Sequence, residues 1–76
     1  MQNEWLKVLV KSLVAANASL PIILDTVAGV TLLVKAATGS GPTVQERAAI
    51  IREAVAGNDA YGKAELERID AILANG

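Results

Sequence analysis

Residues 12–34 read SLVAANASLPIILDTVAGVTLLV, with Asp25 the only charge among them. The fold is decided by whether they make one apolar helix or two. The run is long enough to cross a hydrocarbon core of about 30 Å, and Lys11 and Lys35 bracket it. Asn17, Ser19, Pro21 and Asp25 fall in its middle, where a continuous lipid-facing helix tolerates them least. The same residues suit a turn between two helices. Asn17 ends the first, Ser19 caps the second, and Pro21 sits in a first turn whose amides need no intrahelical acceptor.

Working outward from that break, Glu4, Lys7 and Lys11 recur at helical spacing in the first helix. The rest of its surface, Trp5, Leu6, Leu9, Val10, Leu13 and Ala16, is an apolar arc wider than half the circumference. The second helix is expected to run to about Ala37, with Gly39 as its terminator. Its large residues are Ile22, Ile23, Leu24, Val27, Val30, Leu33 and Val34, while Asp25, Ala28, Gly29 and Ala36 fall together on the other side. The β-branched residues would also suit a strand, but no two-residue alternation is sustained. Helix is the better reading.

Residues 38–42, Thr-Gly-Ser-Gly-Pro, stop any helix and make a short hinge. Residues 1–38 hold fifteen Leu, Ile and Val against five charges; residues 39–76 hold eight against ten. The hydrophobic excess therefore belongs to the first half, and the second half has the balance of a soluble amphipathic segment. Thr43-Val44-Gln45-Glu46 has the form of a capping box. Val44, Ala48, Ile51 and Val55 form a seam facing a partner helix, and Gly57 and Asn58 end that helix. Lys63 to Ala74 makes the last one, with Leu66, Ile69, Ile72 and Leu73 inward and Glu65, Glu67, Arg68 and Asp70 outward.

Composition removes most chemistry. The 76 residues include no His and no Cys, so the commonest general base and any thiolate nucleophile or ligand are missing. Ser12, Ser19 and Ser40 thus have no histidine to activate them. A net charge of −1 and two aromatic residues give nucleic acid neither a basic field nor a stacking platform. Gly39-Ser40-Gly41 lacks the Gly-Lys-Ser/Thr and the preceding strand of a phosphate loop. Glu46, Glu53, Glu65, Glu67 and Asp70 form no cation loop, and Glu65 is expected to pair with Arg68. Asp25 reads as a surface carboxylate favoured by the dipole in the early turns of its helix. In a bilayer it would instead mark a pore or a helix contact. Ala28 and Gly29 beside it suit close approach of another helix. Trp5 is suited either to a membrane interface or to capping the end of a core. Glu4 ahead of the lysines, and Lys11 within the apolar region, argue against a cleavable signal peptide.

The hydrophobic helical leader, the break Ala37-Thr38-Gly39-Ser40-Gly41-Pro42 and the charged helical tail beginning Thr43-Val44-Gln45-Glu46-Arg47-Ala48-Ala49-Ile50 resemble small helical proteins of tailed-phage genomes, holin-like and virion-associated ones included. The resemblance spans most of the chain and implies a virion or assembly component, or a lysis protein. Holins share the size and the charged tail; this chain departs from them in its interrupted span and its acidic rather than strongly basic tail.

The expected protein is all-α, one domain over residues 1–76. It has a hydrophobic helical hairpin (4–37), a Gly/Pro hinge (38–42) and an amphipathic helix pair (43–74). Its expected role is non-enzymatic, without cofactor, metal, nucleic acid or small-molecule substrate. A hairpin this apolar has more surface than two small helices cover, so a homo-oligomer or a protein partner is expected, with Leu9, Leu13, Ile23, Val27 and Val30 as interface or core residues. The cytoplasm or a virion is the expected location. The alternative is a holin-like membrane protein inserting through residues 12–34.

Overall fold

The computed structural model describes residues 3–75. These form four α-helices, α1 (Glu4–Ala15), α2 (Leu20–Thr38), α3 (Val44–Val55) and α4 (Lys63–Ala74), with no strand among the described residues. The protein is all-α. Its radius of gyration, 12.0 Å, is close to the roughly 11 Å of a packed chain of this length, so the four helices share one core rather than trailing from a long span.

The break at Asn17 is a built turn. Asn17 holds a left-handed φ of 61°, alone among described non-glycine residues. Its N–H donates to Val14 O and that of Ala18 to Leu13 O, both at 3.0 Å. This is the paired bonding of a Schellman motif, which satisfies carbonyls the end of α1 leaves over. Asparagine is among the few side chains that enter this conformation at tolerable cost. The helix itself ends two residues earlier than Asn17, at Ala15. Ser19 then takes an extended N-cap conformation, but its side chain makes no capping bond, contrary to expectation. Only its carbonyl serves, accepting from Ile23 N–H at 3.0 Å. Pro21, second in α2, needs no acceptor there.

The other termini follow their residue chemistry. Gly39 ends α2 at φ 84°, its N–H bonded to Lys35 O at 2.8 Å. At the start of α3, Thr43 Oγ1 accepts from Glu46 N–H at 3.1 Å while Thr43 N–H donates to Glu46 Oε1 at 2.8 Å. The capping box is complete. Glu65 does not turn to Arg68 as expected; its Oε1 accepts from Gly62 N–H at 3.1 Å, at the start of α4. The ion pair observed among the described residues is Arg52 to Asp70, 3.0 Å, from α3 to α4. Both partners are partly exposed, so it contributes under about 1 kcal/mol.

In the packing, α3 lies against α4 and α1, and α1 lies against α2. Core positions recur at three- and four-residue spacing: Leu6 and Val10 from α1, Leu20, Ile23 and Val27 from α2, Ala48, Ile51 and Val55 from α3, and Ile69 from α4. Val44, expected in the α3 seam, is instead exposed, because it stands at the first helical position above the end of the core. Tyr61, buried in the α3–α4 loop, donates its hydroxyl to Ala18 O at 2.6 Å. One loop thereby holds the other in place.

Three substitutions test this construction by thermal unfolding. Asn17→Ala is expected to cost roughly 1–2 kcal/mol, while Asn17→Gly, which enters the left-handed region freely, costs far less. Tyr61→Phe should cost about 1 kcal/mol, a fall in Tm of roughly 4–8 °C. The Glu46 carboxylate titrates below its usual range, first because Thr43 N–H donates to it and then through the side chains of Thr43 and Asn3. A depressed folded pKa stabilises fully above the unfolded value, about 4.3, and that stability is lost as pH falls through the lower folded value. Acidification below about pH 4.3 should therefore destabilise the native chain more steeply than Glu46→Gln.

Candidate functional site

Helix α2 is 19 residues long and apolar enough to cross a membrane, yet only 22% of its apolar window is buried within the chain. The distribution follows from which residues it turns inward. Leu20, Ile23, Val27 and Thr31 are buried. At 100° per residue this line places Ile22, Gly29, Leu33 and Ala36 on the opposite side, with Asp25 and Leu32 on one flank. The exposures agree: Ile22 is 55% exposed, Leu32 69% and Leu33 70%. Gly29 sits at the centre of this face, and a Cβ built there would meet nothing within 4 Å. Its surface is a shallow depression between larger side chains.

Thr31 is the reason two leucines point outward. It is 2% exposed and donates its hydroxyl to Val27 O at 2.7 Å. That bond satisfies the hydroxyl inside its own helix, so a polar residue enters the core without a lost hydrogen bond. The next two residues are then carried around the helix into solvent.

The five residues expected at an interface or in the core divide. Ile23 and Val27 are fully buried in the chain's own core and are closed to a partner. Leu9 and Leu13 are half-buried against that core, and Val30 is half-buried on the margin of the inward face. Exposed apolar surface is found instead at Ile22, Leu32 and Leu33, with Val44 at the start of α3 and Val8 alone on the outer side of α1. Periodicity shows how many apolar residues α2 carries. It does not say which arc faces inward; the burial of Leu20, Ile23, Val27 and Thr31 does.

Beside this face, an apolar groove of about 260 Å³ runs between α2 and α3, with Leu24 and Ala28 on one wall, Val44 and Ile51 on the other, and Asp25 and Arg47 among its polar lining residues. Trp5 is half-buried against the core and lines a second cleft of about 350 Å³ with Pro42 and Glu46. Among the described residues no three metal-ligating side chains come together, and no buried side-chain polar atom lacks a hydrogen-bond partner. The feature that stands out is the apolar outer face of α2.

No protein-family model matches this chain, and no curated protein or solved structure matches it.

The two faces of α2 should respond in opposite ways to truncation. Ile23→Ala is expected to cost about 2–5 kcal/mol in urea unfolding. Leu33→Ser in dilute protein should stay within about 0.5 kcal/mol of the parent. A cost at Leu33 as large as at Ile23 would mean that the outward leucines belong to the core.

Proposed function

We propose that this chain is a non-enzymatic helical assembly protein that oligomerises, or docks on a protein partner, through the apolar face of its N-terminal hairpin, α1 with α2. The observation that supports this reading is the cluster of Ile22, Leu32 and Leu33 on one side of α2, each more than half exposed. Fully burying a side chain of this size contributes roughly 1.5–3 kcal/mol, so three of them on one helix leave a large gain unrealised in an isolated chain. Exposed apolar patches of this kind mark interaction surfaces. The amphipathic pair α3 and α4 then serves as a solvated cover over the other side of the hairpin. The resemblance to small phage proteins fits a structural or accessory component, virion-associated or cytoplasmic.

A second reading is favoured by one observation, the length and apolar character of α2. On that reading the chain is holin-like and inserts through residues 12–34. It requires α2 to leave the bundle, uncovering Leu6, Val10 and Ile51, and to carry Asp25 into lipid at about 2.5–3.5 kcal/mol. These costs rank it second.

Sedimentation without detergent separates the readings. The expected result is a mass above that of one chain, rising with concentration in the micromolar range; a compact monomer throughout contradicts assembly with itself. Retention with membranes through an alkaline carbonate wash would support insertion, and recovery in the soluble fraction would remove it.

A further inference from the structure

The cleft of about 350 Å³ beside Trp5 lies where the start of α1, the end of α2, the 38–42 hinge and the start of α3 come together. We propose that it binds a primary ammonium on an aliphatic stem, the group that ends a lysine side chain. Charge gives the sign of this ligand. Glu46 is the one ionisable side chain lining the cleft, and it has no ion-pair partner among the described residues. Thr43 N–H donates to its Oε1 at 2.8 Å and holds the carboxylate in place. A carboxylate has about four acceptor positions, so some remain for a further donor. Hydrogen bonds from Thr43 and then Asn3 keep its pKa below the usual carboxylate range, and the charge is present at neutral pH.

The neutral groups agree with that sign. The Thr38 hydroxyl spends its proton on a backbone carbonyl, Val34 O or Ser40 O, each at 2.8 Å, and so offers only oxygen lone pairs. At the start of α3, the amides of Thr43 and Glu46 are already bonded within the capping box and are not free to draw an anion. The walls accept the stem. Trp5 and Val34 are half-buried and Pro42 is buried, so an aliphatic chain finds apolar surface there, and tryptophan is the ring that attracts a cation most strongly. Lys35 is the chain's own competitor for the site. Its stem lies against Gly41, where a built Cβ would stand 2.9 Å from Lys35 Cγ. It makes no ion pair with Glu46, which leaves the carboxylate to a cation from outside.

Trp5 is the only tryptophan in the chain, so its fluorescence reports on this cleft directly. Titration with butylammonium chloride at constant ionic strength is expected to shift the emission saturably, with half-saturation in the millimolar range that so small a ligand reaches. Sodium butyrate, a short apolar stem with the opposite charge, should leave it unchanged. Glu46→Gln keeps the capping box, since glutamine serves at that position, and removes the charge. It should weaken butylammonium binding about tenfold with the far-UV circular dichroism unchanged, while Glu53→Gln, outside the cleft, binds as the parent does. N-acetyl-lysine N-methylamide separates the sources of the group: tighter saturation than by butylammonium assigns the cleft to a lysine of a protein partner, and looser saturation to a free amine. A shift that never saturates, equal responses to butylammonium and butyrate, or undiminished binding by Glu46→Gln would overturn the ammonium site. None of these outcomes bears on assembly through α2, which sedimentation decides.

Discussion

The left-handed backbone at Asn17 is the constraint on which the rest of the structure depends. Without it, residues 12–34 are one apolar rod, and neither a four-helix core nor an inward face of α2 exists. Asn17 ends α1 with a Schellman pair of hydrogen bonds, Ser19 and Pro21 start α2 in the extended and N-terminal conformations they suit, and the chain reverses within four residues. Tyr61 then reaches across from the far loop to Ala18 O. The turn is thus held both by local backbone chemistry and by a tertiary bond.

Once α2 is folded back, its inward line is fixed by what the core accepts. Leu20, Ile23 and Val27 fill it, and Thr31 completes it by bonding within its own helix. The leftover apolar residues have nowhere inside to go. A chain of 76 residues buries a smaller share of its surface than a larger protein does, and three short helices cannot wrap a fourth that is apolar nearly all round. The exposed leucines are a geometric consequence of size and sequence together, and with Ile22 they concentrate exposed apolar surface on α2.

What the sequence made legible is local. The Thr43–Glu46 box, the stop at Gly39 and the span of the last helix each follow from a few neighbouring residues, and each is as expected. What escaped it is rotational and tertiary. Ile23 and Val27 suit an interface or the core alike in the sequence, because nothing in a one-dimensional pattern distinguishes an arc facing its own core from an arc facing a partner; the structure places both in the core. Leu32 was missed because the buried residue beside it is a threonine, which a hydrophobic pattern counts as outward. Glu65 and Arg68 have the spacing of an ion pair, but Gly62, three residues in the other direction, has an N–H at the start of α4 without an intrahelical acceptor, and it donates to Glu65 Oε1. The surplus of apolar residues in the first half was therefore visible at once, while the face that presents it was not.

The most direct test of the central claim is the accessibility of α2 methyl groups to a soluble paramagnetic probe, followed by NMR as the protein is concentrated without detergent. In dilute solution Ile22, Leu32 and Leu33 should be broadened and Ile23 protected. With rising concentration, Ile22, Leu32 and Leu33 should become protected together while Val8 stays accessible. Methyl groups that remain equally accessible at every concentration, or that gain protection only when detergent micelles are added, would contradict an outer face of α2 built for another protein chain.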